Sequence, residues 1–299
     1  MLTQFRKRLA TRWFDLHTRG VYTTPRVDGD PGSDVVVLSQ LHHPDVTMYL
    51  LAAKSFARHL RPREFIIVDD GLTPADRERI AAHLEPVRFI PSASVDRGSC
   101  PAGGCWERLM AIVAETERHY VIQLDSDTLT IGRPEEVLAC VQAGRAFTLG
   151  TRSGREKVRL ADAAGLAAES PSEHVQNVAE RALARYPDGA QYRYVRGCAG
   201  FAGFPRGALS VAAVEAFSQQ MEALVGAAKW HEWGSEQVTS NFLVANLPDS
   251  LVLPVDRYPF WSPTRKFLEP ALVHFFGTFR FSGGMYRRQA SRLIEKLRA

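Results

Sequence analysis

The sequence predicts an α/β protein: a mostly parallel central sheet flanked by helices, in a single domain with a basic amphipathic segment at each end. Three observations carry that expectation. From Asp34 to Leu149 short apolar runs alternate with stretches of helical periodicity. The runs are apolar on both faces, as buried parallel strands are. Two of them stop abruptly on acidic residues, at Asp69-Asp70-Gly71 and at Asp125-Ser126-Asp127. Repeated strand–helix–strand units build a helix-covered sheet.

The elements follow in order. Residues 1–19 have Phe5, Leu9, Trp13 and Leu16 at helical spacing, with Arg6, Lys7, Arg8, Arg12 and Arg19 around them. That pattern serves a helix packed on the domain surface or one lying on an acidic membrane. Residues 20–34, with Pro25, Gly29, Pro31 and Gly32, read as a linker, so 1–34 form a terminal segment. The main domain is expected over residues 35–284. Val35 to Leu38 and Phe65 to Val68 are strands around a helix that carries Met48, Leu51, Ala52, Phe56 and Leu60 on its apolar positions. Thr73-Pro74 opens the next helix, a cap residue followed by proline in the first turn. Val87 to Ile90 is the third strand, Trp106 to Glu117 a helix, and Tyr120 to Leu124 the fourth strand.

Beyond the acidic pair, Arg133-Pro134-Glu135-Glu136 starts a helix and Ala146 to Leu149 a strand. Residues 152–194 lose the alternation, with one helix over Glu173 to Arg185. They read as an excursion that shapes a second-substrate pocket or as solvated padding. Val195 to Phe204 holds three glycines among apolar residues, a strand approached closely by a ligand or by backbone. Ala208 to Ala227 and the segment after Gly234-Ser235 are helical, Ser235 serving as a cap. Residues 285–299 form a second basic amphipathic helix.

Bulk properties narrow the function. Hydrophobic content of 45% and charged content of 23% are those of a globular protein. A net charge of +4 argues against dedicated nucleic-acid binding and suits an anionic small substrate or an acidic membrane surface. No apolar run reaches the ~20 residues of a membrane span and no signal peptide opens the chain, so a cytoplasmic protein is expected. Cys100, Cys105, Cys140 and Cys198 lack metal or redox spacing and are read as free thiols, with Cys100–Cys105 the pair that an oxidising compartment could join.

The chemistry centres on Asp125 and Asp127. In an extended backbone residues two apart face the same way, so the two carboxylates can converge. Like charges side by side call for a cation, and a hard divalent ion, Mn²⁺ or Mg²⁺, also carries phosphate oxygens. Standing alone, the tripeptide fits a surface turn with an Asx cap better than it fits a metal site. Partners elsewhere favour the first reading. His274 lies in the strand-like run ALVHFF, and imidazole suits a borderline ion such as Mn²⁺. Gly277 and Arg280 follow, the latter a guanidinium fit for phosphate. Arg108 opens the helix before the Asp strand. Glu236 has no basic neighbour in sequence.

These residues together resemble the GT-A glycosyltransferases, nucleoside-diphospho-sugar transferases, and within them the glycogenin-like and bacterial galactosyltransferase-like retaining enzymes of family 8 type. Arg108-Leu109 followed by Tyr120 to Asp127 is similar to that family's Arg-Leu helix and acidic strand. His274, Gly277 and Arg280 resemble its His-x-x-Gly-x-x-Lys element, with Arg for Lys, and Glu236-Gln237 with Asn241 its acidic-Gln element. The matches run in the family's order across roughly residues 35–281. Cys198-Ala199-Gly200 stands where the family has Asn-x-Gly, and Asp69-Asp70-Gly71 is closer to the inverting enzymes.

The resemblance implies a metal-dependent transfer of a hexose from a nucleoside-diphosphate sugar of the UDP type to a glycan, lipid-linked or protein acceptor, with retention. It implies Asp125, Asp127 and His274 as metal ligands, and Arg108, Asp125, Gly200, Asn241, Gly277 and Arg280 as donor contacts. Glu236 and Gln237 would be the catalytic pair, Glu236 holding sugar hydroxyls or serving as nucleophile, Gln237 near the anomeric carbon. Rival readings are a nucleotidyltransferase, against which Ser39-Gln40-Leu41-His42-His43-Pro44 offers no glycine-rich phosphate loop, and a non-catalytic sugar-binding or membrane-surface protein on the same scaffold.

Overall fold

Strands form where β-branched and aromatic residues cluster: Val35–Leu41, Glu64–Asp69, Val87–Pro91 and Tyr120–Leu124 all lie where the apolar runs put them. The computed structural model describes residues 2–264 and 268–299, and their side chains other than those of 2–8 and 278. The chain divides into two compact units, one of Met1–Phe89, Leu124–Glu135 and Asp256–Ala299, the other of Ile90–Gln123 and Glu136–Val255.

In the first unit Val35–Leu41 runs parallel to Glu64–Asp69, from Val36 opposite Glu64 to Leu41 opposite Asp69. The helix Val46–Ala57 between them is buried along its whole length, its polar Thr47, Lys54 and Ser55 included, beyond the apolar stripe read from periodicity. The helix Pro74–Ala81 starts at Thr73, whose side chain accepts from the Asp76 N–H while Asp76 reaches back to the Thr73 N–H.

Residues 20–34 are not the linker the sequence suggests. Val21 is fully buried, and Val27–Asp28 pairs in parallel with Leu84–Glu85. The cause is Lys54, whose buried ammonium donates to Thr24 Oγ1 at 2.9 Å and to the Pro25 carbonyl at 2.6 Å. Burial lowers the Lys54 pKa to about 8. A buried ammonium needs acceptors, and this segment supplies them.

The two terminal helices, Leu2–Thr18 and Met285–Arg298, pack on each other through aromatic rings. Phe14, buried, lies 4.4 Å from Tyr286 and 5.3 Å from Phe281 between ring centroids. The inward face is therefore that of Phe14. Leu9, Trp13 and Leu16, on the apolar stripe read from periodicity, stay half exposed at 50%, 47% and 56%. The Arg287 guanidinium sits 4.6 Å from the Trp13 ring centroid.

In the second unit Cys198–Phe204 pairs antiparallel with Phe147–Leu149, which pairs in parallel with Leu251–Leu253, a strand absent from the sequence expectation. At Gly197 and Gly203 the close approach is made by the protein itself: a Cβ on Gly203 would lie 2.2 Å from the Phe147 ring and one on Gly197 2.8 Å from the Leu149 carbonyl. The excursion holds two helices, Leu160–Ala168 and Val175–Ala182, where one was expected. Ser235 is the first residue of the helix Ser235–Asn246 rather than its cap. Its hydroxyl accepts the Trp106 indole N–H at 2.9 Å. All four cysteines are free thiols. Among the described residues no helix is long and apolar enough to cross a membrane.

Candidate metal and donor site

The acidic pair is held by its neighbours in the first unit. The Leu124 carbonyl, last of the apolar run, accepts a hydrogen bond from the buried Ser39 hydroxyl at 2.6 Å. The strand then ends, and Asp125 to Asp127 form a turn in which the Thr128 N–H and hydroxyl both donate to the Asp125 carbonyl, at 3.2 and 2.8 Å. The two carboxylates thus converge through a turn, not through the alternation of an extended strand. A short strand, Thr128–Thr130, follows and pairs antiparallel with Leu272–His274, placing His274 opposite Thr128. The Phe275 N–H donates to the Asp127 carbonyl at 2.8 Å and closes the loop. A residue 147 positions away in sequence is thereby fixed beside the pair.

His274 Nε2 lies 2.9 Å from Asp127 Oδ1 and 3.9 Å from Asp125 Oδ2. One ligand atom from each of Asp125, Asp127 and His274 lies within 4.8 Å of the others. Adjacent ligands on an octahedral ion with bonds of about 2.1 Å are about 3 Å apart, so small side-chain adjustments would bring the three onto one cation. Asp127 and His274 are buried, while Asp125 is partly open to solvent. The donor set, two carboxylates and an imidazole, suits Mn²⁺ or Mg²⁺ with positions left for substrate oxygens.

Arg280 joins the cluster. Its Nη2 donates to Asp127 Oδ2 at 2.5 Å, and its Nε to the Phe275 carbonyl at 3.0 Å. Burial pushes the Asp127 carboxyl up, but His274 and Arg280 outweigh it and hold the group below its ordinary range. Burial opposes charge on Arg280 too, and Asp127 more than offsets that. Gly277, at φ +62, makes the bend between His274 and Arg280 and is exposed; a side chain there would be strained. Two residues not expected from sequence stand with them. Asp45 is close enough for its charge to act on Asp127 and Arg280, and burial raises its pKa. Tyr286 stacks on Phe275 at 4.2 Å beneath the loop. Neither carries a local sequence signal, since both arrive by tertiary packing.

In the second unit Arg108 and Glu236, both buried, form an ion pair at 3.2 Å. The acid without a basic neighbour in sequence thus has one in space. Gln237 Oε1 accepts the Ala199 N–H at 3.2 Å, which ties it to the strand carrying Gly200. Asn241 is fully buried and donates to the Gly197 carbonyl at 3.1 Å, so it braces the chain just before Cys198-Ala199-Gly200.

No protein-family model matches this sequence, and no curated protein does. Solved structures do match, and the class they define is the GT-A fold, mixed α/β with mostly parallel strands flanked by helices. One is the bifunctional glycosyltransferase WbbM, at TM-score 0.53 and 14% identity over 88% of this chain; the chain spans 50% of that protein's length. Another is the galactosyltransferase LgtC in complex with donor and acceptor sugar analogues, at TM-score 0.52 and 12% identity, over 88% of this chain and 96% of LgtC. An active-site mutant of LgtC matches at TM-score 0.53 and 12% identity, over 87% and 95% of the two chains.

Proposed function

We propose that this protein is a metal-dependent glycosyltransferase that moves a hexose from a UDP-type sugar to an acceptor with retention of configuration. The observation that carries the reading is the convergence of Asp125, Asp127 and His274 on one point, on a fold shared with solved glycosyltransferases. The three residues would hold Mn²⁺ or Mg²⁺, which supplies Lewis-acid stabilisation of a departing diphosphate. Arg280 adds a fixed positive charge at the same place, and Gly277 leaves its backbone open to a phosphate.

In the second unit we assign Arg108 and Glu236 to the sugar hydroxyls and Gln237 to the anomeric carbon, where positive charge develops. The pairing of Glu236 with Arg108 lowers its value as a nucleophile and favours attack by the acceptor itself from the leaving-group side. Gly200 and Asn241 shape the strand beside Gln237. The excursion encloses a cavity of about 310 Å³ lined by Arg152, Arg155, Leu166, Glu180, Tyr194 and Arg196, which we assign to the acceptor side. Exposed Leu9, Trp13 and Leu16 on a basic helix support peripheral contact with acidic lipid, and we assign the enzyme to the cytoplasm.

The test is a panel of nucleoside-diphosphate sugars with and without Mn²⁺, reading release of nucleoside diphosphate. One donor should turn over only with metal, and Asp125→Ala should abolish that turnover. Near-normal activity in the variant, or no release from any donor, would overturn the reading.

A further inference from the structure

Gln237 is not held by its own helix but by a chain of side chains from the excursion. A backbone N–H can only donate, so the bond from Ala199 fixes which end of the Gln237 amide is oxygen. Its nitrogen donates to Gln176 Oε1 at 3.0 Å. Gln176 in turn donates its own amide nitrogen to Glu180 Oε1 at 3.0 Å, one turn further along the helix Val175–Ala182. Glu180 is 1% exposed and takes donors on both oxygens: the Tyr194 hydroxyl at 2.9 Å on Oε1 and the Arg196 guanidinium on Oε2. A carboxylate only accepts. Polarity therefore runs one way, from the Gln237 amide through Gln176 to a fixed negative end.

We propose that Glu180, acting through Gln176, is a positioning residue that locks the Gln237 amide with its carbonyl oxygen beside Ala199. This rests on the assignment of Gln237 to the anomeric carbon. An sp² amide oxygen has two acceptor sites, and Ala199 fills one. The other is left for the positive charge of the transition state. With the amide reversed, N–H dipoles would point at that charge and the electrostatic contribution would change sign. The donor is held by other groups, so the effect belongs in kcat and not in the donor KM.

The experiment uses the full chain with Mn²⁺ and, as donors, UDP-glucose and UDP-galactose. Glu180→Gln removes the end that can only accept, and should lower kcat by roughly 30-fold with the donor KM within about twofold. Adding Gln176→Glu moves the carboxylate to the neighbouring position. There it accepts from both the amide at 180 and Gln237, and kcat should return to within about threefold of wild type. In parallel, the ¹⁵N side-chain amide signals of Gln237, assigned by their loss in Gln237→Glu, should shift in Glu180→Gln and return in the double variant.

A folded Glu180→Gln protein with wild-type kcat and unmoved Gln237 signals would overturn the proposal. So would a double variant no better than the single one. If the wild type turned over neither donor, the failure would fall on the transferase reading for these sugars. The Gln237 signals would then decide the positioning on their own, unmoved signals refuting it.

Discussion

Replacing Arg280 by methionine should pull apart two functions that the native cluster combines. The Arg280 guanidinium donates to Asp127 at 2.5 Å and would compete with a cation for it. Two unit charges about 5 Å apart at an effective dielectric of 20 repel by about 3 kcal/mol. Arg280 keeps 29% side-chain exposure, so solvent screening cuts this to roughly 1.5 kcal/mol. Arg280→Met should therefore bind Mn²⁺ about tenfold more tightly than wild type. The same change removes a positive charge from the leaving diphosphate and should lower kcat about 100-fold. Titration of Mn²⁺ followed by the free-ion electron paramagnetic resonance signal gives the first number, and steady-state release of nucleoside diphosphate the second. A folded variant that binds Mn²⁺ no more tightly than wild type would refute the reasoning, because Arg280 would then not be facing the cation.

Other expectations follow from single residues. Burial raises the Asp15 pKa from 3.8 to about 6, a Thr47 hydrogen bond opposes this, and Asp45 adds to it. With a folded pKa above the unfolded one, its stabilising contribution is full below pH 3.8 and is lost as pH rises through 6. Full linkage would amount to about 3 kcal/mol. The group is partly solvated, so Asp15→Asn should raise stability by roughly 1 kcal/mol more at pH 8 than at pH 4 in urea melts. Gly203→Ala should destabilise by roughly 2 kcal/mol or more, because the new methyl meets the Phe147 ring at 2.2 Å; an unchanged melting temperature would contradict that packing. Trp13→Glu, on a half-exposed position, should reduce co-sedimentation with phosphatidylserine vesicles and leave donor turnover in solution unchanged.

The parallel strands and the helices next to them were legible because each is a contiguous apolar run or a periodic stripe. Thr73-Pro74 was legible because a helix start is local chemistry. Thr128–Thr130 and Leu251–Leu253 escaped for the opposite reason: each is three residues long and exists through a partner far away in sequence. The candidate ligands were readable as residue types in order, since Asp125 and Asp127 follow an apolar run and His274 lies within one. How they meet was not, because a turn after Leu124 replaces the alternation that a longer strand would have given. The Arg108–Glu236 pair, 128 positions apart, and the Lys54 anchor on residues 24 and 25 are likewise tertiary facts without local pattern. Helical periodicity found the amphipathic first helix but left open whether its stripe meets the protein or a membrane; Phe14, outside the stripe, is the residue that meets Tyr286.

Pulsed electron paramagnetic resonance of bound Mn²⁺ addresses the ligand cluster itself. Wild-type protein should show coupling of the ion to an imidazole nitrogen, and the coupling should vanish in His274→Ala while some ion remains on the two carboxylates. Mn²⁺ held without any nitrogen coupling, or no binding at all, would mean that Asp125, Asp127 and His274 do not share a metal ion.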